Sequence, residues 1–344
     1  MATTSSADHA AMRAWVYTTT NGGLEKNIKL VDDTSLPLRQ PVAKDAILVK
    51  VHYSSLNPVD YKLPELGFLA RFAIPTPASP GLDFSGVVAE KGDEVDACRV
   101  GDKVYGRIDP TKYGTLGEYI GARMDGCSVL PEGVSLEDAS CIGTAGLTAF
   151  QCIVPNAKKG DRVFINGGSG GTGTFGIQIA KALSCHVTTS CSGKNVELCR
   201  SLGADEVIDY TKNNVSEILK TKGQVYQLVV DNVGAPADLY KAADHFLLPN
   251  GKFVQVGIQM SPGSIASTAS RQLLPSFLGG GKRSWEYLLT KNNHEHLDQL
   301  GTWMKEGKVK AVIDETFQYN DVPKAFAKLK LGHARGKIVV RGPA

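Results

Sequence analysis

One short stretch, residues 162–176, limits the possible folds of this chain more than any other. It begins with the apolar run Val163-Phe164-Ile165, which predicts a buried strand. Gly168-Ser169-Gly170-Gly171-Thr172-Gly173 follows with G-x-G-x-x-G spacing, and residues 175–181 continue with helical periodicity. Strand, glycine turn and helix in this order bring backbone N–H groups and a helix N-terminus to a pyrophosphate. The stretch predicts a dinucleotide-binding cradle, although flexible glycine loops can share the pattern.

Strand and helix patterns alternate after this cradle. Strands are predicted at residues 185–191, 206–210, 226–233 and 251–257, and helices at residues 195–202, 215–220 and 237–247. Such alternation implies right-handed crossovers and a parallel sheet covered by helices on both faces. Because ligands of these sheets lie at the carboxyl ends of the strands, we expect Asn232, Val233 and Gly257 to contact a cofactor. Ordinary strand-to-loop turns explain these residues about as well.

The end of the second strand indicates which nicotinamide cofactor fits. Sites for NAD place an Asp or Glu about 20 residues after the glycines, to bind the ribose 2′-OH. Residues 188–195 contain no acid, and the next one is Glu197, inside the following helix. Ser192 and Lys194 could bind a 2′-phosphate, and Tyr210 is a further candidate for a phosphate or adenine contact. We therefore predict NADPH, with a solvated turn lysine as the alternative interpretation of Lys194.

Composition excludes several classes of protein. A chain of 344 residues suits two domains, and a net charge of +3 with no basic stripe argues against a nucleic-acid partner. No apolar run approaches the roughly 20 residues of a membrane helix. The seven cysteines form no C-x-x-C pair, which suits a reducing compartment, and residues 1–11 resemble a disordered tail rather than a targeting signal. We expect a cytoplasmic protein that binds neither membranes nor nucleic acid.

The first 130 residues show a different pattern from the rest. Short alternating segments such as 46–53 and 86–90 are separated by turns at Asn57-Pro58 and Pro80-Gly81, which predicts an irregular antiparallel barrel. Near the end of the chain, residues 309–317, 322–331 and 336–341 read as strand, helix and strand. We expect this last segment to return to the first domain.

Motifs distributed over essentially the whole chain occur in the same order as in a known superfamily. They are Asn57-Pro58-Val59-Asp60-Tyr61-Lys62 and residues 80–86, 100–104, 143–149, 168–173, 202–205 and 336–340. The chain resembles a medium-chain dehydrogenase/reductase of the zinc-independent, quinone-oxidoreductase-like branch. The resemblance implies an α/β protein with a GroES-like β-barrel catalytic domain, residues 1–135 with 308–344. It also implies a doubly wound Rossmann domain that binds NADP(H), residues 136–307, and an active site between the two.

The sequence departs from the zinc alcohol dehydrogenases at the metal ligands. Those enzymes carry Cys, His-Glu and Cys where this chain aligns Asn57, Leu82-Asp83 and Thr144. Leucine cannot ligate a metal, and zinc prefers thiolate and imidazole ligands. The cysteine-rich structural zinc lobe expected between about residues 95 and 120 is also missing. We therefore predict no metal, which leaves hydride delivery to an activated C=C bond or a quinone.

The resemblance implies candidate catalytic residues and further candidate cofactor-binding residues. Asn57 could donate to a carbonyl oxygen or cap a turn, and Lys62 could approach the nicotinamide or substrate or be a solvated lysine. Tyr61 could donate a proton or be a satisfied core tyrosine. Thr148 is expected at the nicotinamide ribose or diphosphate, and Arg335 at a phosphate. We interpret Asp60 and Asp83 as residues that fix local structure.

Two further segments bear on the substrate. Related mitochondrial enoyl reductases have a proton-donating tyrosine some eleven residues beyond the Asn of this motif, where this chain has Phe68. Residues 262–290 interrupt the alternation of strands and helices. They would shape a substrate pocket or an oligomer edge, or they would form a mobile loop.

The resulting prediction is an NADPH-dependent, zinc-free reductase of α,β-unsaturated carbonyls or quinones. Its substrate would be a small enone, quinone or acyl compound, and the chain could form a homodimer. The alternatives are a trans-acting enoyl-thioester reductase of polyketide or fatty-acyl biosynthesis, and a non-catalytic NADPH-binding sensor.

Overall fold

The computed structural model describes residues 11–34, 42–236, 238–257 and 282–343. Its strands are β1 (Met12–Val16), β2 (Lys29–Thr34), β3 (Ala46–Leu56), β4 (Asp83–Lys91), β5 (Lys103–Arg107), β6 (Tyr119–Arg123), β7 (Cys127–Val129), β8 (Arg162–Asn166), β9 (His186–Cys191), β10 (Glu206–Asp209), β11 (Tyr226–Asp231), β12 (Leu247–Gln255), β13 (Ser284–Tyr287), β14 (Ile313–Phe317) and β15 (Lys337–Arg341).

The α-helices are α1 (Leu24–Asn27), α2 (Pro58–Lys62), α3 (Phe68–Ala73), α4 (Leu136–Ser140), α5 (Leu147–Ile153), α6 (Gly171–Ala182), α7 (Val196–Ser201), α8 (Val215–Thr221), α9 (Leu239–Ala242), α10 (His294–Lys305) and α11 (Val322–Lys330). Short 3₁₀ turns occur at Pro64–Leu66, Met124–Gly126, Gly193–Asn195, Ala243–His245 and Tyr319–Asp321, and one π-helical turn at Ile142–Gly146.

The first large sheet is built from both ends of the described chain. Its order is β14-β15-β3-β4-β5-β7, with β6 also paired to β3. The pairs are antiparallel except for β14 and β15, which are parallel and joined by α11. The C-terminal segment thus completes this GroES-like unit, as expected. Its apolar interior includes Trp15, whose indole N–H donates to the Tyr319 carbonyl at 2.8 Å.

The second large sheet carries the predicted cradle. It has the order β10-β9-β8-β11-β12-β13, and all its pairs are parallel. β8 lies in the middle, so the turn that follows it opens at the carboxyl edge beside β9 and β11. Val163 and Ile165 of β8 pack against Phe175 and Ile177 of α6 in the largest apolar core. The α/β class and the Rossmann-like sheet are therefore confirmed.

Several boundaries differ from the sequence expectation. The helix predicted at 237–247 is reduced to α9 and the turn Ala243–His245, because Leu247 already pairs with Tyr226 as the start of β12. The strand predicted at 309–317 begins only at Ile313. The tail at residues 1–10 and most of the 262–290 segment lie outside the described residues. The exact domain boundaries at 135/136 and 307/308 stay a prediction.

Candidate functional site between the two sheets

The glycine turn is tightly packed at two positions and open at a third. A side chain on Gly168 would collide with Thr189, and one on Gly173 would collide with the backbone of Gly167. At Gly170 the nearest atom to an added Cβ is the Gly167 carbonyl oxygen, 3.6 Å away. α6 begins at the next residue, and no side chain caps its N-terminus. A backbone surface with this opening and unfilled helix N–H groups fits a pyrophosphate.

Asn195, which the sequence analysis missed, connects this turn with the loop after β9. Its side-chain nitrogen donates to the hydroxyls of Ser169 at 3.0 Å and Ser192 at 3.2 Å. The side chain is buried, and its Oδ1 has no partner among the described residues. Its position three residues after Ser192 was the available signal. The structure thus brings two predicted cofactor-binding serines to one amide.

The side chains predicted to bind the adenosine end lie beside this amide. Lys194 and Tyr210 are exposed, and no hydrogen bond or ion pair within the described residues engages the Lys194 ammonium. An acid does stand nearby: Asp209, at the end of β10, lies within 2.6 Å of a Cβ built on Gly193. Its carboxylate is engaged, because Thr211 donates to it from its hydroxyl at 2.6 Å and its backbone N–H at 3.0 Å. The Thr211 hydroxyl is the main reason that the pKa of Asp209 is lowered.

The predicted contacts at the next strand ends are shaped by Asp231. Its carboxylate accepts from the N–H groups of Val233 at 3.0 Å and Gly234 at 2.9 Å, which fixes the turn after β11. Val233 is exposed, whereas the Asn232 amide donates to the Asn166 carbonyl at 3.2 Å and its Oδ1 is buried without a partner in the described chain. Gly257 packs against this turn so closely that no Cβ would fit. Asn232 Oδ1 is therefore a covered acceptor without a donor in the described ranges.

Thr148 is more deeply placed than expected. Its hydroxyl donates to the Thr144 carbonyl at 2.6 Å and lies 2.5 Å from the Thr290 hydroxyl. The side chain is buried in the first turn of α5. A contact to the ribose or diphosphate would have to share this hydroxyl with Thr290, which sequence reasoning had not implicated.

The predicted catalytic residues lie on and beside α2 and face different surroundings. Asn57 precedes the helix, and its N–H donates to Asp60 Oδ2 at 2.7 Å, so Asp60 fixes this turn as expected. Lys62 is half-buried, and nothing in the described ranges binds its ammonium. Tyr61 packs toward α11, with the Lys330 ammonium 5.5 Å from its ring centroid. Burial, with a smaller contribution from Glu65, raises the pKa of Tyr61.

A buried polar group, which we call the Lys337 cluster, joins Ser55, Asn57, Asp83, Thr144 and Lys337. Asp83 Oδ2 accepts from Asn57 Nδ2 at 2.8 Å and Ser55 Oγ at 3.2 Å. Asp83 Oδ1 accepts from the N–H of Thr144 at 2.7 Å and its hydroxyl at 2.6 Å. The Lys337 ammonium donates to Asn57 Oδ1 at 2.5 Å and lies 3.3 Å from Asp83 Oδ2. Sequence reasoning missed Lys337, although a lysine inside an apolar strand was a visible anomaly.

The sequence analysis aligned Asn57, Leu82-Asp83 and Thr144 with the metal ligands of zinc alcohol dehydrogenases, and all of these except Leu82 belong to the Lys337 cluster. These positions supply an amide, a hydroxyl, the buried leucine Leu82 and a carboxylate already paired with an ammonium. Among the residues that the structure describes, no group of three His, Cys, Asp or Glu side chains could hold a metal ion. Because zinc prefers thiolate and imidazole ligands, this donor set does not fit it.

Two consecutive residues, Gly336 and Lys337, connect the glycine turn to Asn57. The Gly336 N–H donates to the Ser169 carbonyl at 2.9 Å, and the side chain of the next residue, Lys337, donates to Asn57. Gly336 has a φ of +86°, and a Cβ there would meet the Val312 backbone. Arg335, one residue earlier, is exposed at the surface of the same turn. The glycine turn and Asn57 are therefore linked through these two residues.

A GroES-like sheet joined to a Rossmann sheet, with a dinucleotide cradle at their contact, defines a nicotinamide-dependent oxidoreductase. Comparison with known protein families supports this class. Residues 43–142 match the alcohol dehydrogenase GroES-like domain, and residues 202–340 match the family described as zinc-binding dehydrogenase. The chain belongs to the medium-chain dehydrogenase/reductase superfamily, whose members bind NAD(P)H.

Individual relatives share nearly the full length. The chain is 47% identical over 344 residues to trans-enoyl reductase pgmF of Aspergillus terreus, covering 96% of each chain. It is 32% identical to 2-methylene-furan-3-one reductase of Solanum lycopersicum, covering 96% of this chain and 79% of that one. The structure of the quinone oxidoreductase from Coxiella burnetii superposes with a TM-score of 0.82 at 32% identity, covering 96% and 99% of the two chains.

Within the described ranges, the helices are too short or too polar to span a bilayer.

Proposed function

We propose that this protein is an NADPH-dependent, zinc-free reductase of the C=C bond in α,β-unsaturated carbonyl compounds, with enoyl thioesters as the foremost substrate class. The observation that carries the proposal is the junction at Gly336 and Lys337. It connects the glycine turn to Asn57, which begins the turn that also carries Lys62. Asn57 and Lys62 are two polar groups suited to a carbonyl oxygen.

The names of the relatives support this substrate class. The relative at 47% identity is called a trans-enoyl reductase, and the tomato protein is named for reduction of a conjugated ketone. The Coxiella protein, at 32% identity, is titled a quinone oxidoreductase. Quinones are therefore the second candidate substrates. The higher identity to an enoyl reductase favours an acyl substrate, including one presented by a carrier protein.

The residues around the cradle suit NADPH. When bound, this cofactor supplies a hydride. The N–H groups at the start of α6 would hold its diphosphate, and Arg335 stands at the edge of the same turn. Ser192 and Lys194 would bind the 2′-phosphate, with Tyr210 against the adenine. Toward the nicotinamide, the candidate contacts are Asn232, Val233, Gly257 and Thr148.

Charge that develops on the substrate carbonyl oxygen needs donors in the cleft. Asn57 Nδ2 has two hydrogens, of which one is bound to Asp83 at 2.8 Å and the other has only the Ser55 carbonyl at 3.4 Å. That second hydrogen and the Lys62 ammonium are the donors we assign to the enolate. Removing one such donor typically costs 10²–10³ in turnover.

Protonation of the enolate carbon needs a separate source. Phe68, which stands where related enoyl reductases have tyrosine, is 73% exposed and meets Phe72 edge to face with 5.0 Å between ring centroids. A phenyl ring has no proton to give, and Tyr61 is turned toward Lys330. We therefore assign this proton to solvent.

The test is NADPH oxidation, followed by absorbance, over enoyl thioesters, simple enones and quinones at equal concentration. We expect turnover of the enoyl thioesters and enones, unchanged after chelator treatment, with no stoichiometric zinc by elemental analysis. Turnover of quinones alone would refute the substrate class. NADPH binding without oxidation of any substrate would indicate a sensor, and one tightly held zinc per chain, lost together with activity, would refute the mechanism.

A further inference from the structure

Lys337 is a charged residue in an unusual place. It is the first residue of β15, between Gly336 and the apolar run Ile338-Val339-Val340, and its side chain is 2% exposed. Burying an ammonium is costly unless it is paired and hydrogen-bonded. The Lys337 ammonium meets both conditions. Asp83, itself 0% exposed, supplies the opposite charge, and the Leu56 carbonyl accepts a further hydrogen bond from Lys337 at 3.1 Å.

The stem of Lys337 runs along the cofactor cradle. A Cβ built on Gly171, the first residue of α6, would lie 3.0 Å from Lys337 Cδ. The same side chain ends among residues that align with zinc ligands, namely Asn57, Asp83 and Thr144. A single side chain therefore passes from the start of α6, beside the glycine turn, to Asn57 and Asp83.

We propose that Lys337 is a positioning residue for Asn57, because its buried ammonium sets the orientation of the Asn57 side-chain amide. The proposal rests on the function proposed above. The ammonium accepts no hydrogen bond, so it forces Asn57 Oδ1 to face it and Nδ2 to face Asp83. This orientation leaves the second Nδ2 hydrogen for the substrate oxygen.

Asp83 also connects the Lys337–Asp83 ion pair to the π-helical turn before α5. Its second oxygen accepts two hydrogen bonds from Thr144, in the π-helical turn that precedes α5. Thr148, which is predicted to contact the nicotinamide ribose or diphosphate, in turn donates to the Thr144 carbonyl. The Lys337–Asp83 pair thus holds the substrate donor and the start of α5 at once.

The decisive experiment compares Lys337→Met, Asp83→Asn and the double variant. Lys337→Met keeps the length of the side chain but leaves the Asp83 carboxylate buried and unpaired, so we expect its melting temperature to fall by at least about 5 °C. The double variant buries no charge and should regain most of that loss. In it, the new amide at position 83 can donate to Asn57 Oδ1, which turns the Asn57 amide away from its wild-type orientation.

This predicted turn of the Asn57 amide separates positioning from stability. In the folded double variant, we expect kcat for an enoyl thioester to stay at least about tenfold below wild type, with the NADPH Kd changed less than about threefold. The control is Lys324→Met, which removes an exposed ion pair with Asp321. It should leave the melting temperature within about 2 °C and kcat unchanged.

Three results on melting and turnover would overturn the proposal. In the first, Lys337→Met has the melting temperature and the kcat of wild type. In the second, the double variant melts no higher than the less stable single variant. In the third, the double variant folds and has the wild-type kcat. A parallel loss of NADPH affinity would also contradict it, because the effect would then lie in the cradle. The melting comparison needs no substrate, so it tests the buried pair even if wild-type protein reduces none of the compounds in the panel.

Discussion

Replacing Asp60 with asparagine should change how the stability of this protein depends on pH. Asp60 is buried, and one of its oxygens, Oδ1, has no partner among the described residues. Burial, and then the nearby charge of Asp83, raise the pKa of Asp60 to about 7 from its ordinary 3.8. The Asn57 N–H, Lys337 and Arg107 act in the opposite direction and only partly offset this rise. Asparagine keeps an acceptor for the Asn57 N–H and removes the titration.

The sign and size of the effect follow from proton linkage. Because the pKa is higher in the folded state, the folded protein binds the proton more tightly than the unfolded chain does. The resulting stability is complete below about pH 4 and is lost as the pH rises through about 7. Between about pH 5 and pH 8, the wild-type free energy of unfolding should therefore fall by about 2.6 kcal/mol relative to Asp60→Asn.

Urea unfolding at several pH values across this range measures the difference. Fluorescence of Trp15, which is buried in the same GroES-like unit, reports on the transition. Comparing the pH slopes cancels any constant cost of the new amide. Asp96→Asn, at an exposed acid, is the control and should keep the wild-type slope. If Asp60→Asn shows the same pH dependence as wild type, the inference from burial to a raised pKa is wrong.

Two further predictions concern the cofactor and the chemistry. Lys194→Ala should weaken NADPH binding at least about tenfold, because a charge-assisted hydrogen bond worth about 1.5–3 kcal/mol is lost; NADH titrations of the same variant provide the internal control. Equal losses for the two cofactors, or equal wild-type affinities, would contradict the assignment of the 2′-phosphate site. Lys62→Ala should lower kcat/KM for an enone at least about tenfold, or roughly 1.4 kcal/mol, with a smaller loss of NADPH affinity, as measured by steady-state kinetics and fluorescence titration. Lys50→Ala, at an exposed lysine on β3, should keep wild-type rates, and an unchanged Lys62→Ala would remove this residue from the mechanism.

Local patterns predicted most of the fold because the elements are regular. β8, the glycine turn and α6 follow one another directly along the chain, so apolar periodicity and turn chemistry were sufficient to recognise them. The segment around α9 was less predictable. Its helix is short because tertiary pairing with β11 begins the next strand at Leu247, ahead of Gly251, where the sequence pattern had placed it.

The site residues likewise fall into those that the sequence could predict and those that it could not. The Asn57–Lys62 turn and the Ser192–Lys194 loop were recognisable because each carries its chemistry within a few neighbouring residues. Asn195 was missed because its role depends on Ser169, which is 26 residues earlier. Thr290 was missed because it meets Thr148 across 142 residues of chain.

The amino-acid sequence by itself determined the class of protein, the cradle and the loss of zinc ligands, because each depends on residue type at short spacing. Only the tertiary structure decided which side chains contact the residues at those positions. Lys337 and Asn57 are 280 residues apart in the chain, and they meet because β15 pairs with the end of β3. Strand pairing at such separation is set by the packing of the whole sheet, and no local pattern encodes it.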